Sequence, residues 1–215
     1  MIKIEKFKNN ILAENCYVMS DETNECVIID CGAYEDFEVK DITDYIAQNN
    51  LQPVHLLATH GHIDHNFGNG AMFKAYGLKV EVHLKDQPLM DNMSQQEQLI
   101  FGQQVLKEPL PTVGRYFTEK DVITFGNHSI TIIETPGHTP GGVFFYLKDE
   151  KVAFSGDTLF KGSIGRTDLP GGSMFGIIQS LRMICQMPDE VHVYPGHGED
   201  TTIGYECQTN MYLDR

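Results

Sequence analysis

Apolar and polar positions alternate along the N-terminal residues 1–7 of this 215-residue chain, apolar runs follow at 15–19 and 26–30, and Gly32 comes next as a turn signal. A two-residue period and short apolar runs of this kind are the marks of strands in a meander. From residue 34 to 49 the period changes, and Phe37, Ile42, Tyr45 and Ile46 fall on one face at helical spacing. Pro53 opens a strand over 54–58 that runs straight into a histidine-rich segment, placing that segment at the strand's C-terminal end. A helix is expected over 69–76, ended by Gly77, and a strand over 79–84. Residues 86–120 carry the weakest pattern. Within them 95–106 reads as a helix, and Glu108-Pro109-Leu110-Pro111 as irregular chain, because proline lacks the amide donor and restricts the residue before it. The whole segment reads either as a lid or substrate loop or as an ordinary surface connection. Strands resume at 122–125 and 130–134, and 143–147 with 152–155 forms a hairpin around Lys148-Asp149-Glu150-Lys151. The clearest helix spans 173–187, where Met174, Ile177, Ile178, Leu181, Ile184 and Cys185 make a core-facing stripe. A last strand at 191–194 leads into Pro195-Gly196-His197-Gly198. Grouped strands with helices between them predict packed sheets with helices outside. With no repeat, low-complexity tract or linker, residues 1–215 read as one domain.

Composition narrows the function. The net charge is −14 and the Lys and Arg residues are scattered, which argues against a nucleic-acid partner, since phosphate contacts need a basic face. No apolar run reaches the roughly 18 to 20 residues of a membrane span. The N-terminus alternates like a strand rather than reading as a signal peptide, so a cytoplasmic protein is expected. The cysteines, Cys16, Cys26, Cys31, Cys185 and Cys207, are odd in number and lack a Cys-x-x-Cys, so they read as buried small side chains, not a disulfide framework.

Four polar islands interrupt the apolar pattern: His60-Gly61-His62-Ile63-Asp64-His65, His138 in Thr135-Pro136-Gly137-His138-Thr139, Asp157 in Ser155-Gly156-Asp157-Thr158, and His197. Each follows a strand or sits in a glycine-rich loop, so they can converge at one edge of a sheet sandwich. Neutral imidazole and carboxylate suit zinc, iron or manganese. Five histidines and two aspartates exceed the needs of one tetrahedral ion and suit two ions with one bridging carboxylate. The isolated His55, His83, His128 and His192 read as surface or hydrogen-bonded residues. Arg166 and Asp168 read either as a substrate-carboxylate site or as an ion pair closing their loop, and Asp30 as a turn residue supporting the site.

Thr-His-x-His-x-Asp-His from Thr59, Thr135-Pro136-Gly137-His138-Thr139, Gly156-Asp157-Thr158-Leu159-Phe160 and Tyr194-Pro195-Gly196-His197-Gly198 together resemble the metallo-β-lactamase superfamily, in order and along nearly the whole chain. Residues 156–168 and 201–206 are similar to the compact glyoxalase II-like hydrolases. The resemblance implies an α/β (α+β) four-layer αββα sandwich and two divalent metal ions, zinc first, with iron or manganese as alternatives. It implies that His60, His62 and His138 hold one ion, that Asp64, His65 and His197 hold the other, and that Asp157 bridges them. It further implies hydrolysis of a small-molecule thioester, such as an S-2-hydroxyacyl-thiol, by metal-activated hydroxide that Asp64 helps to orient, with Arg166 as a candidate substrate contact. Full-length glyoxalase II enzymes add a C-terminal helical region that binds glutathione, and here the chain ends at Arg215, so another small thiol or a looser recognition is expected. A second class, the mononuclear-iron persulfide dioxygenases, shares the first motif and a Gly-Arg-Thr-Asp loop, and by analogy would use His60, His138 and Asp157. A lactonase, another metallo-hydrolase and a non-enzymatic binding protein are further readings.

Overall fold

The computed structural model describes residues 1–107 and 109–213. Two six-stranded sheets carry the fold. The first runs in the order β1 (Lys3–Asn9), β2 (Glu14–Ser20), β3 (Glu25–Ile29), β4 (Gln52–Leu57), β5 (Glu81–His83), β6 (Arg115–Phe117). The second is built from β7 (Val122–Phe125), β8 (His128–Glu134), β9 (Val143–Leu147) and β10 (Val152–Gly156), followed by β13 (His192–Pro195) and the short edge strand β14 (Thr201–Thr202). A separate hairpin of β11 (Leu159–Phe160) and β12 (Ser163–Ile164) follows β10.

The period-2 pattern sorts side chains between layers. Along β2, Tyr17 and Met19 point between the sheets, where they meet Phe125, Ile132, Phe145 and Phe154. Cys16 and Val18 point the other way, against Ile42 and Ile46 of α1 (Asp36–Gln48) and Met72 of α2 (Asn69–Tyr76). The second sheet repeats the arrangement: Phe144, Ala153 and Val193 pack on Ile177, Leu181 and Ile184 of α5 (Met174–Ile184). The layers are therefore helix, sheet, sheet, helix. Local chemistry sets the start of α5 and the end of α2. Ser173 caps α5 by accepting from the Gly176 amide, and Gly77 ends α2 in a left-handed conformation.

Several expected elements are trimmed or displaced. The strand expected over 79–84 is only Glu81–His83, because Leu84–Asp86 turns into a single 3-10 turn. The helix expected over 95–106 begins earlier, with α3 (Gln87–Met90) and α4 (Met93–Phe101), and stops where Gly102 turns left-handed. Of the irregular Glu108-Pro109-Leu110-Pro111, Glu108 lies outside the described residues, and the three others are in no helix or strand. The tail folds further than expected, into α6 (Ile203–Thr209) with Thr202 as its cap. Among the described residues no helix is long and apolar enough to cross a membrane. Cys16, Cys26, Cys31 and Cys185 are buried and Cys207 is half-buried; none is in a disulfide, and the Cys207 thiol donates to Cys185 Sγ (2.8 Å).

Sheet direction gathers the loops that matter. β3 and β4 run parallel, as do β10 and β13, so the chain leaves all of these strands at matched ends. β8 and β10 are both antiparallel to β9, so β8 ends on the same edge as β10. Contacts between the sheets close that edge. The Val143 amide donates to the Thr59 carbonyl (3.0 Å), the Asn15 amide to the Gly196 carbonyl (2.7 Å), and the Tyr17 hydroxyl to the Pro195 carbonyl (2.7 Å).

The isolated histidines are each engaged outside the four motifs, His83 at the end of β5, His55 within β4, and His128 and His192 at the far ends of their strands. His83 Nε2 lies 2.9 Å from Glu134, His128 Nδ1 2.8 Å from Glu150, and His192 Nε2 3.5 Å from Asp200. His55 on β4 meets Glu81 of β5 at 2.5 Å, with its other nitrogen 3.1 Å from the Thr124 carbonyl. The Glu81 contact raises the His55 pKa above its ordinary value, against the opposing pull of burial. A raised folded-state pKa contributes stability below the unfolded value of about 6.5 and loses it as pH climbs through the folded value. His55→Gln is therefore expected to destabilise by up to about 1 kcal/mol near pH ~6 and by much less near pH ~9. Urea unfolding at both pH values reads this, and an equal loss at the two would refute it.

Candidate metal centre

Four loops of the same edge bring the seven expected residues together. Thr59 to His65 leaves β4, His138 follows β8, and Asp157 and His197 follow β10 and β13. The side-chain donor atoms fall into overlapping groups: His60 with His62 and His138, His60 with His65 and Asp157, and Asp64 with His65 and His197, each within 4.8 Å. His62 Nδ1 faces His138 Nε2 at 2.8 Å, and His65 Nε2 faces His197 Nε2 at 3.3 Å. Asp157 sits between the groups, with Oδ1 3.3 Å from His65 Nε2 and Oδ2 3.5 Å from His138 and 3.6 Å from His197. Asp64 Oδ2 is 3.4 Å from His197 Nε2.

The outward ring nitrogens are held by main chain and neighbours, which turns the inner nitrogens toward one space. His138 Nδ1 contacts the Arg166 carbonyl (2.8 Å), His197 Nδ1 the Leu12 carbonyl (3.1 Å), and His60 Nδ1 the Thr59 hydroxyl (3.1 Å). Such outer partners fix ring orientation in metal sites. Asp30, in left-handed backbone after β3, accepts from both the amide and the hydroxyl of Thr59 and stands 3.1 Å from His65 Nδ1. The sequence reading of Asp30 as a support for the site agrees with this geometry.

Electrostatics divide the histidines. Burial, then the charges of His65 and His138, holds His60 well below the ordinary imidazole range, and burial with His138 pushes His62 down to about 3. Burial would also lower His65 and His197, but Asp157, Asp64 and Asp30 hold His65 well above its ordinary value, and Asp64 and Asp157 raise His197. Burial alone would raise Asp157, yet the neighbouring His65 charge holds it well below the carboxylate range, and His65 and His197 do the same for Asp64. His60 and His62 are thus biased toward the neutral imidazole, while His65 and His197 lean on the carboxylates of Asp64 and Asp157.

Two glycines permit the close approach. A Cβ on Gly137, whose φ is 147°, would stand 2.2 Å from the Ile177 amide nitrogen. One on Gly196 would stand 2.3 Å from Asp157 Oδ1 and 2.7 Å from the His65 ring.

Metal would fit this donor set. His60 Nε2 and Asp157 Oδ1 are buried without a hydrogen-bond partner, at the centre of five imidazoles and two carboxylates. A buried polar atom left unpaired costs free energy, and a cation is the partner this set of lone pairs calls for.

The metallo-β-lactamase family model matches residues 10–197, most of the chain and every one of these seven side chains. The chain belongs to the metallo-β-lactamase superfamily. Among its relatives, hydroxyacylglutathione hydrolase GloC of Haemophilus influenzae is 32% identical, with 99% of each chain covered. Of solved structures, the B3 metallo-β-lactamase BLEG-1 superposes with a TM-score of 0.89 at 30% identity, covering 99% of this chain and 100% of its own. TTHA1623, solved in a di-iron-bound form, gives 0.85 at 32% identity, covering 97% of this chain and 100% of its own. Membership and these relatives support a metal-dependent hydrolase in general terms. The four-layer arrangement is that of the superfamily's solved structures.

Other residues that build this superfamily site were not legible as motifs. Asp86, fully buried, accepts from the Gly61 amide (2.9 Å), the Thr139 hydroxyl (2.8 Å) and the Gly141 amide (2.6 Å). Gln96 of α4 accepts from the Ile63 amide and donates to the Gly61 carbonyl, and Asn10 donates to the Asp64 carbonyl. Nothing in their local spacing marks them. Arg166 reaches the site through its carbonyl, while its guanidinium makes a two-pronged pair with Asp168 in solvent (2.7 and 2.8 Å).

Proposed function

We propose that this chain is a thioester hydrolase of the glyoxalase II type, acting on a substrate such as an S-2-hydroxyacyl-thiol, with two divalent ions, zinc first and iron or manganese as alternatives. The observation that carries this reading is the pair of three-residue donor groups flanking the carboxylate of Asp157. In this reading His60, His62 and His138 hold one ion, Asp64, His65 and His197 the other, and Asp157 spans both. Bound there, the ions would supply a water acidified toward neutral pH and a Lewis acid for the substrate carbonyl. Around that chemistry the protein's own groups position and protect. Arg166 and Leu12 hold the outer nitrogens of His138 and His197 through main-chain carbonyls, so the inner nitrogens keep their aim. Asp64 Oδ2, buried beside His65 and His197, accepts a hydrogen bond from the attacking water and directs its lone pair at the carbonyl. Thiolate is a stable leaving group, so this reading calls for no strong general acid at the sulfur. The name of the H. influenzae relative supports a thioester, and the di-iron form of TTHA1623 supports two ions.

The test is elemental analysis of protein purified without added metal or chelator, followed by thiol release from a thioester panel that includes S-lactoylglutathione, with a chromogenic β-lactam as comparator. About two ions per chain with thioester turnover is expected. One iron per chain, with oxygen uptake on a persulfide, would overturn the reading in favour of the dioxygenase.

A further inference from the structure

The segment 86–120, open at the sequence level between substrate loop and plain connection, supplies one wall of a groove of about 510 Å³ beginning at His62. α3 and α4 contribute Leu89, Leu99 and Ile100, and the opposite wall is Pro140, Leu169 and Pro170. Both walls are tied to the metal centre. Gln96 donates to the carbonyls of Gly61 and Leu89, and a Cβ on Gly61 would stand 3.0 Å from the Leu89 Cβ. Pro140 follows His138 by two residues, and a Cβ on Gly171 would stand 2.9 Å from its ring. The volume is that of a small-molecule site, not of a protein interface.

Its exposed surface is mostly apolar. Leu99, 57% exposed, lines it from α4, where the Gln96 amide is taken up by the Gly61 and Leu89 carbonyls and the Asn92 amide by the Pro88 carbonyl, with Gln95 at the open side. Lys85 is the one cation among the lining residues, and its Nζ is already 2.5 Å from Glu134. The cations on the loops after β8 and β10 are engaged as well, Arg166 with Asp168 and Lys161 with Glu199. A dicarboxylate thiol such as glutathione would find no free cation here, and would approach a chain of net charge −14. The geometry points to a thioester with one uncharged, apolar arm: the arm lies in the groove between α4 and Pro140, and the scissile carbonyl sits at the His62 end. This inference rests on the thioesterase reading and deepens it.

The experiment uses two matched series of thioesters, one lengthening the acyl chain and one the thiol, against S-lactoylglutathione, on the metal-loaded protein. Binding of a non-hydrolysable alkyl thioether series is followed in parallel by calorimetry. In one of the series kcat/KM is expected to rise about fourfold per added methylene until the groove is filled, since each buried methylene contributes that factor in affinity. S-lactoylglutathione is expected to fall below the longest member. Leu99→Asp, at a position open enough to spare the fold, should lower kcat/KM for that longest member by at least about tenfold, and Leu99→Met should restore it. Turnover that is flat across both series and best on S-lactoylglutathione overturns this inference while leaving the thioesterase standing. Absence of any thioester turnover, with thioether binding that strengthens with length and weakens in Leu99→Asp, refutes the thioesterase and upholds the apolar groove. Absence of both refutes both.

Discussion

Asp157→Asn is expected to lower kcat/KM on the order of 10³-fold and to leave the purified chain short of its second metal ion. The substitution keeps size and shape and removes one charge. That charge sits between all three neighbouring rings, 3.3 Å from His65, 3.5 Å from His138 and 3.6 Å from His197. Its depressed pKa states the same thing from the other side: the His65 charge outweighs the burial that would protonate it. An amide offers one acceptor where the carboxylate offers two, and it cannot offset cationic charge in a buried place. Lewis-acid stabilisation worth several kcal/mol corresponds to roughly that thousandfold loss. Metal content after dialysis and kcat/KM on the best thioester are the two readouts. A variant with full metal and full turnover would remove Asp157 from the centre and with it the dinuclear mechanism.

Asp86→Ala is the larger effect on stability. The carboxylate joins the Gly61 amide to the Thr139 hydroxyl and Gly141 amide, and so stitches the loop after β4 to the loop after β8. Truncation would strand three buried donors at roughly 1 to 3 kcal/mol each, partly relieved if water enters. A net loss of about 3 kcal/mol corresponds to a fall in Tm of roughly 10 °C for a chain of this size. Because His60, His62 and His138 hang on the two loops, metal affinity should drop about 10- to 100-fold, as it does when outer partners of ligands are removed. Asp86→Asn should fall between, since its amide group turns a second donor toward the donors already there. Thermal melts with and without metal, and competition against a chelator, measure both effects. Variants that melt and bind like the wild type would make Asp86 a bystander.

The main strands, the helices α1, α2 and α5, the placing of helices outside packed sheets and the seven donor residues were legible because each is written in local terms, whereas β6, α3, the β11–β12 hairpin, β14 and α6 were not expected. The apolar run at 16–19 marks a strand buried on both faces, so its alternate side chains must cover the other sheet on one side and α1 and α2 on the other. The stripe on α5 says which face covers the second sheet. A histidine after a strand and beside a glycine says that the chain turns with a ligand-type side chain exposed at a strand end. Those are properties of neighbouring residues, governed by backbone sterics and burial, and the chain carries them by itself. Which strand ends lie side by side is a different matter. It depends on β3 pairing parallel to β4 and β10 parallel to β13, with β8 and β10 sharing a direction through β9. Only that pairing brings His60, His138, Asp157 and His197 within ligand distance of one another. Asp86, Gln96 and Asn10 lie outside the sequence's reach for the same reason: a hydrogen-bond partner 25, 35 or 54 residues away leaves no local period. The groove is the clearest case. Leu99 on a weakly patterned helix and Pro140 beside a histidine become two walls of one cavity only when the two halves of the sandwich close, because burial at long range is decided by packing and not by spacing.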